Sequence, residues 1–220
     1  MPDCCNPGSE RYEDVFDARF AGGLARRYRR RGPTRAERRM VEHLAGLGVD
    51  DRAVLEIGGG IGAIQLELLT RGAAHATNLE LSGAYERDAA ALLEERGLER
   101  RATRIVGVDV AAEGDRVPAA DYVVLHRVVC CYPDVDQLLT AAAEHARRAL
   151  VFSHPPRTWL TRGTVTISNA WMRFRGHEYR AFVHSPARMY DVLADAGFTS
   201  SPVSTGPQWW VVAATRSTPV

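Results

Sequence analysis

The sequence predicts an α/β fold in which a mostly parallel sheet carries helices on both faces. Between residues 53 and 153, short apolar runs of strand type alternate with segments of helical periodicity. A glycine-rich turn at residues 58–62 follows the first of these runs directly. Two further strand-like stretches, 198–203 and 208–215, are separated by a Ser-Thr-Gly-Pro turn, which predicts an antiparallel hairpin at the sheet edge.

The composition is that of an ordinary globular protein. Of the 220 residues, 45% are hydrophobic and 25% are charged, which argues against intrinsic disorder. The 28 basic and 27 acidic side chains exclude a grossly basic nucleic-acid-binding protein. Every basic residue is Arg, so lysine Schiff-base chemistry is excluded as well. Without an apolar run of membrane-spanning length or a signal-peptide core, the expected location is the cytoplasm.

Residues 1–48 predict a helical arm in front of the sheet. The first 32 residues are polar and rich in Arg, with scattered aromatic side chains. Thr34 and Glu37 then form the capping-box pattern, in which a hydroxyl and a carboxylate satisfy the free amides at a helix start. Apolar residues follow at helical spacing until Gly48.

The sheet domain is expected over residues 49–220. Its strands are predicted at residues 54–57, 75–79, 103–106, 121–125 and 149–153, before the terminal hairpin. Helices are predicted from the glycine-rich turn to residue 71, and at residues 85–96 and 135–147. Residues 155–184, where aromatic side chains alternate with Arg, are expected to form a helical cap inserted before a helix that Ser185-Pro186 begins.

An acidic residue accompanies the end of each of the first three strands. Glu56 lies two positions before Gly58, where a carboxylate suits an ammonium group and disfavours a pyrophosphate. Glu80 ends the second strand, 22 residues after Gly58, where a carboxylate can accept hydrogen bonds from both ribose hydroxyls. Asp109 follows the third strand, well placed to accept a bond from an adenine amino group. An adenosine with a cationic amino-acid tail fits all three positions.

With these residues, the chain resembles the Rossmann-like (class I) S-adenosylmethionine-dependent methyltransferases. The resemblance rests on Leu55-Glu56-Ile57-Gly58-Gly59-Gly60-Ile61-Gly62, Glu80, Asp109 and the strand at 120–126, and it covers about residues 50–215. It implies a seven-stranded sheet with a reversed last strand, and S-adenosyl-L-methionine as cofactor. By position, the turn would meet the methionine moiety, Glu80 the ribose and Asp109 the adenine. The cofactor site is expected to comprise Glu56, Gly58, Gly59, Gly60, Gly62, Glu80, Leu81, Asp109, Val110 and His126.

Histidines at the ends of the fourth and fifth strands are the candidate catalytic residues. A base is needed only where the acceptor must lose a proton, and His is the natural base near neutral pH. His126 and His154 are the candidates, with His126 favoured; the alternative for His126 is a hydrogen bond at the sheet rim or in the cofactor pocket. The acceptor is expected to be an aromatic or carboxylate-bearing small molecule that is methylated on oxygen. It is expected to contact Arg127, Cys131, Tyr132, Trp159, Trp171 and Arg175.

Within these methyltransferases, the layout resembles the magnesium-protoporphyrin O-methyltransferase group. The shared features are the Arg-rich arm, Cys130-Cys131-Tyr132-Pro133 after the fourth strand, and the cap that runs to His184. This resemblance implies methyl esterification of a propionate on a tetrapyrrole as one candidate reaction. The cap aromatics would then form a flat apolar pocket, and the alternative is an amphipathic helix that packs on the sheet with its Arg side chains in solvent.

Several alternatives stay open. Cys130 and Cys131 are either small apolar core residues or a thiol pair, joined by Cys4 and Cys5, for a thiol or metalloid acceptor. The pattern Gly58-x-Gly60-x-x-Ala63 also fits an NAD(P)-dependent reductase. A non-catalytic cofactor-binding module is the third alternative, and a monomer and a homodimer are both open.

Two site types are disfavoured. Amino-methylating nucleic-acid enzymes carry an Asn/Asp-Pro-Pro-aromatic run after the fourth strand, where this chain has His126-Arg127-Val128-Val129. Neither cysteine pair has C-x-x-C spacing, so no metal site is predicted.

Overall fold

A computed structural model describes Tyr12 and residues 15–217, which form one seven-stranded sheet flanked by helices. The strands are β1 (Ala53–Ile57), β2 (His75–Glu80), β3 (Ala102–Val106), β4 (Ala120–Leu125), β5 (Ala146–His154), β6 (Phe198–Thr205) and β7 (Trp210–Arg216). Their order across the sheet is β3-β2-β1-β4-β5-β7-β6. Strands β1 to β5 run parallel to one another, whereas β7 is antiparallel to both β5 and β6. The predicted mostly parallel sheet with a reversed last strand is confirmed.

The helices follow the predicted alternation, with differences at their ends. They are α1 (Ala18–Arg31), α2 (Arg35–Gly46), α3 (Ala63–Thr70), α4 (Glu86–Arg96), α5 (Val110–Glu113), α6 (Val135–His145), α7 (Trp159–Phe174) and α8 (Pro186–Asp195). The capping box of α2 is confirmed, because Glu37 N–H donates to the Thr34 hydroxyl at 3.3 Å and the Glu37 carboxylate accepts from Thr34 N–H. The one-turn helix α5 has no counterpart in the sequence prediction.

The boundary between α6 and β5 was predicted wrongly. The helix was expected to reach residue 147, but it ends at His145, and β5 begins with Ala146 paired to Ala120. The pairing register shifts between Ala120 and Tyr122, which leaves Arg147 and Arg148 exposed in the irregular part of the strand. Two consecutive exposed polar residues break the alternation by which a strand is recognised in a sequence.

Alternation along the central strands divides the core into two layers. In β4, Tyr122 and Val124 join the cluster that includes buried residues of α1, α2, α3 and α4. Their neighbours Val123 and Leu125 join the opposite cluster with α6 and α8. Because successive side chains of a strand point to opposite faces, both faces of the sheet are buried.

The chain leaves the middle of the sheet in two directions. Strand β1 lies between β2 and β4, so the connections after β1 and after β4 diverge from a common point. The pairing of Ile57 with Leu125 brings the residues that follow them, Gly58 and His126, side by side at the carboxyl edge. Such a switch point is where open α/β sheets form their ligand-binding crevice. Within the described residues, no helix is long and apolar enough to cross a bilayer.

Candidate functional site

A cavity of about 570 Å³ opens at the carboxyl edge of the sheet, above the switch point. Its walls come from the glycine-rich turn, the segments after β2, β3 and β4, the arm helices and the cap. The volume is within the range of small-molecule binding sites. Fold topology and cavity therefore coincide at one place.

The glycine-rich turn presents bare backbone to this cavity. Gly58 has φ +61° and donates its N–H to the Leu79 carbonyl at 2.7 Å. A Cβ at Gly58 would lie 2.6 Å from the Val128 side chain, and one at Gly59 would collide with Asn78 and Glu56. A larger residue at either position therefore displaces the turn or fills the space beside it.

Glu80 is held in place by the backbone around it. One oxygen accepts from Gly60 N–H at 2.8 Å and the other from Ser82 N–H at 3.1 Å. Burial raises the pKa of Glu80, and the two amide hydrogen bonds and the charge of Arg104 act in the opposite direction. Arg104 also donates to the Gly60 carbonyl at 3.0 Å. The carboxylate, which lines the cavity, is thereby fixed in orientation.

Glu56 is a buried carboxyl group on the cavity wall. It is 2% exposed, and its Oε2 accepts from Gln65 N–H at 3.0 Å. Burial raises the pKa of Glu56 to about 8. An ionised carboxylate in such surroundings is unfavourable unless a positive charge lies next to it. A cationic group beside Glu56 would therefore favour its ionised form.

Asp109 has two partners within the protein. Its Oδ1 caps α5 by accepting from Ala111 N–H at 2.9 Å, and its Oδ2 accepts from the Tyr132 hydroxyl at 2.9 Å. Burial and the nearby Asp109 raise the pKa of Tyr132. Tyr132, assigned to the acceptor from the sequence, thus lies beside a residue assigned to the cofactor. Leu81 and Val110 also line the cavity.

His126 and Arg127 share the hydroxyl of Ser153. The Oγ of Ser153 lies 2.9 Å from His126 Nδ1 and accepts from Arg127 N–H at 2.9 Å. Burial lowers the pKa of His126 to about 4, so its ring is neutral at neutral pH. When the Ser153 hydroxyl donates its own proton to Nδ1, the ring proton sits on Nε2. In that tautomer His126 presents a hydrogen-bond donor rather than a base.

Arg127 adopts a strained backbone conformation at the cavity. Its φ of +63° is in the left-handed region, which side chains other than Gly, Asn and Asp rarely occupy. The guanidinium carbon lies 5.3 Å from the centre of the Trp209 ring, and Trp209 in turn packs edge-on against His126. Strain of this kind persists where the surroundings hold the residue, often at ligand sites.

His154, the other candidate, and His184, at the end of the cap, do not line the cavity. His154 is buried between Phe152 and Trp210, and its Nδ1–H donates to the Pro155 carbonyl at 2.9 Å. His184 donates to the Tyr132 carbonyl at 3.0 Å. Burial lowers the pKa of both histidines. Their contacts are those of structural residues, so the geometry brings His126 alone of the three to the site.

The aromatic side chains of the cap do not form the expected flat pocket. Trp159 and Trp171 point outwards, 84% and 57% exposed, and the Arg175 guanidinium lies 5.8 Å from the Trp171 ring centre, outside the cavity lining. The physical reason is that α7 turns its smaller residues inward, and Val165 is the one that reaches the cavity. The segment after α7 completes the wall with Tyr179 and its neighbours.

The aromatic side chains of the arm contribute to the site, although they are not among the site residues expected from the sequence. Phe16, Phe20, and the ion pair between Arg27 and Glu37 at 3.4 Å all line the cavity. Tyr12 donates a hydrogen bond to the Cys131 carbonyl at 3.1 Å. The aromatic residues at four-residue spacing in an otherwise Arg-rich segment were the available signal for this contact face.

The thiols at the cavity are free. Cys130 and Cys131 have their sulfur atoms 3.7 Å apart, and Cys131 Sγ lies 3.0 Å from the Tyr179 hydroxyl. The hydrogen bond from Cys130 lowers the pKa of Cys131, with Tyr179 acting in the same direction. The expected partners Cys4 and Cys5 lie outside the described residues. Among the residues that are described, no group of three or more metal-ligating side chains occurs.

Comparison with known proteins finds similarity in structure alone. No protein-family model and no curated protein sequence matches the chain. A magnesium protoporphyrin IX methyltransferase from Synechocystis PCC 6803, solved with bound SAH, is 21% identical with a TM-score of 0.70; the match covers 94% of this chain and 98% of that one. An O-methyltransferase family protein from Burkholderia thailandensis is 17% identical with a TM-score of 0.71, over 94% of this chain and 62% of the other.

A third similar structure is an O-methyltransferase family 2 protein from Planctomyces limnophilus in complex with apigenin. It is 16% identical with a TM-score of 0.68, and the match covers 94% of this chain and 64% of the other. At these identities the comparison concerns the fold. The chain therefore has the Rossmann-like fold of these methyltransferases.

Proposed function

We propose that this protein is an S-adenosylmethionine-dependent methyltransferase that methylates a small-molecule acceptor on oxygen. The observation that carries the proposal is the convergence of Glu56, the bare glycine turn, Glu80 and Asp109 on one cavity at the switch point. Similar folds in structures solved with SAH and SAM support the choice of cofactor.

The residues of the cavity suit the successive parts of this cofactor, from its amino-acid tail to its adenine. Glu56, buried with a raised pKa, suits the ammonium group, and the backbone of Gly58 and Gly59 lines the cavity in a turn that has no room for a Cβ. Glu80, oriented by two amides, suits the ribose hydroxyls. Asp109 suits the adenine amino group, because each carboxylate oxygen can accept a second hydrogen bond.

S-adenosylmethionine would supply a methyl group on a sulfonium: a bond from the acceptor oxygen to the methyl carbon would form in line as the carbon–sulfur bond breaks, and S-adenosylhomocysteine would leave. The protein's own contribution is then alignment and exclusion of water, which are large effects in bimolecular reactions. The walls that would hold the acceptor include Phe16, Phe182 and Trp209, which are apolar and aromatic. They favour a planar or aromatic acceptor.

Two residues of this wall, the charged Arg127 and the neutral His126, favour an acceptor that carries a carboxylate. Arg127 presents a guanidinium at the cavity, stacked on Trp209. His126, with a pKa of about 4, is a weak base for a hydroxyl group. A carboxylate is already ionised at neutral pH and needs no base. His126 then positions the acceptor by donating a hydrogen bond, and a tetrapyrrole propionate is one acceptor with this chemistry.

Product analysis with matched acceptors tests the proposal. The protein is incubated with S-adenosylmethionine and either aromatic carboxylic acids, including a porphyrin with free propionates, or the corresponding carboxamides, and S-adenosylhomocysteine formation is measured. We expect turnover with an acid, none with its amide, and a product methyl group that alkali releases as methanol. A methylated nitrogen or sulfur would refute the assignment to oxygen. Cofactor binding without turnover on any acceptor would support a non-catalytic module instead.

A further inference from the structure

The helix α7 carries an apolar stripe that faces away from the protein. Trp159, Leu160, Ile167, Trp171 and Phe174 are all exposed, and Trp159 and Phe174 are more than 80% exposed. At about 100° per residue, these side chains lie within roughly 120° of the helix circumference. Exposed apolar side chains that are contiguous in this way mark an interaction surface, whereas isolated ones do not.

The opposite side of α7 is what attaches the helix to the protein. Thr161, Val165, Asn169 and Met172 are its partly buried residues. The side-chain amide of Asn169 forms two hydrogen bonds with the backbone of Ala181: it donates to the carbonyl at 2.8 Å and accepts from the N–H at 2.9 Å. The inner face is thus defined by side-chain contacts, and the orientation of the apolar stripe towards solvent follows from them.

The charged side chains on α7 itself are of one sign, and the first acidic residue after it is the exposed Glu178. Residues 155–177 contain four arginines and no acidic residue. Arg162 and Arg173 flank one side of the stripe, and Arg175 lies beyond its other side; all three are exposed. A helix with Trp and Phe on one face and Arg at its borders has the composition of helices that lie in a membrane interface.

We propose that α7 docks the protein onto the surface of an anionic phospholipid bilayer, with its apolar stripe in the headgroup region and its arginines among the phosphates. A second copy of the chain fits this face less well, because a two-fold contact through α7 would set two acid-free Arg clusters against each other. The proposal goes beyond the proposed methyl transfer and does not depend on it. Since the inner face of α7 borders the cavity through Val165, the bilayer would lie about one helix diameter from the site.

Vesicle binding by the full chain tests this proposal. Flotation is measured with phosphatidylcholine vesicles that contain or lack phosphatidylglycerol, at low and at high salt. We expect binding to the anionic vesicles only, weakened by salt, because polybasic contacts are screened. Brominated lipids should quench tryptophan fluorescence, since Trp159 and Trp171 would enter the interface. Absence of binding to anionic vesicles at low salt overturns the proposal.

Variants separate the apolar and the charged contributions. The double variant Trp159→Ser/Phe174→Ser should lower vesicle affinity by at least about tenfold, because both side chains lose their burial in lipid. Arg162→Gln/Arg173→Gln should lower it by about tenfold to thirtyfold at low salt and reduce the salt dependence. These side chains are exposed, so the thermal unfolding temperature should not change.

The matched control is Val106→Thr, which removes an exposed apolar side chain on β3, away from α7. It should bind vesicles as the parent protein does. Equal vesicle binding by the Trp159→Ser/Phe174→Ser variant and the parent would overturn the assignment to α7. The assignment would also be overturned if the parent formed a dimer, the variant were monomeric and neither protein bound vesicles. In that case α7 would be an interface between copies of the chain.

Discussion

Replacing Glu56 by Gln should stabilise the ligand-free protein and weaken cofactor binding at the same time. Gln keeps the shape of Glu and an oxygen that accepts from Gln65 N–H, but it cannot carry a charge. The ligand-free protein is then relieved of a buried carboxyl group that resists ionisation. The cofactor, in turn, loses the counter-charge to its ammonium group.

The size of the stability effect follows from the pKa of Glu56. Folding raises this pKa from an ordinary value of 4.5 to about 8. Between these values the native state binds more protons than the unfolded state, so the stability associated with Glu56 is full below pH 4.5 and is lost as the pH rises through 8. At about 1.4 kcal/mol for each pKa unit, the loss is on the order of 4–5 kcal/mol.

Urea unfolding of both proteins at pH values from 5 to 8 measures this effect. The free-energy difference between Glu56→Gln and the parent should grow with pH across the whole range. His126, with its pKa lowered to about 4, contributes stability above pH 6.5 that is lost on acidification. This contribution is the same in both proteins and cancels in the difference. Glu95→Gln, which removes the same charge from an exposed pair with Arg29, is the matched control and should show no such trend.

Calorimetric titration with S-adenosylhomocysteine gives the second half of the prediction. Glu56→Gln should weaken binding by roughly tenfold to a hundredfold, the range for a hydrogen bond to a charged group. Parent binding should strengthen from pH 6 to 8, because the ammonium group pairs with the ionised form of Glu56. Parallel stability profiles would refute the raised pKa, and an unchanged affinity would refute the contact with the ammonium group.

Three further substitutions test other parts of the site. Asp109→Asn keeps the helix cap but replaces an acceptor oxygen by a donor, so the affinity for S-adenosylhomocysteine, measured by calorimetry, should fall about tenfold. Unchanged affinity would refute the contact between Asp109 and the adenine amino group. Ser153→Ala leaves the Arg127 amide and His126 Nδ1 without their partner, so urea unfolding should show a loss of stability of about 1–3 kcal/mol. The His126 tautomer, followed by ¹⁵N NMR, should change. An unaltered tautomer would contradict the role of Ser153 in fixing it. Arg127→Gly should raise stability by about 1 kcal/mol because it relieves the positive φ, yet it should reduce methyl transfer. The control is Asp51→Gly, at the other residue besides glycine with a positive φ in the described chain, and it should leave methyl transfer unchanged. Equal methyl transfer by both variants would exclude Arg127 from the acceptor site.

The sheet and the glycine-rich turn were predictable because their signals are local. Each parallel strand is a short apolar run bounded by turn residues, and burial on both faces makes that run continuous. The turn at residues 58–62 needs glycine where a Cβ would strike Val128 or Asn78, so its sequence reports its geometry. The acidic residues at or near the ends of the first three strands converge because the carboxyl ends of parallel strands share one edge.

The remaining parts of the site depend on packing between distant segments. The pattern of α7 identifies an amphipathic helix, but it does not say that Val165 faces inward and Trp159 outward, because this helix reverses the usual burial of its larger apolar residues. Ser153 is an ordinary strand residue until the fold brings it beside His126. Likewise, the contact of Phe16 with Tyr179 joins segments far apart in the chain. The four-residue spacing of the arm aromatics indicates a contact face, but it does not say which distant residues that face meets.

Calorimetric titration of the parent and of Glu80→Ala with S-adenosylhomocysteine tests the central claim most directly. Glu80 is fixed by the amides of Gly60 and Ser82 with its carboxylate on the cavity, so its loss should weaken binding by roughly tenfold to a hundredfold. NADH, titrated under the same conditions, should not bind. Failure of the parent to bind S-adenosylhomocysteine, or binding of NADH in its place, would contradict the assignment of this cavity to the methyl donor.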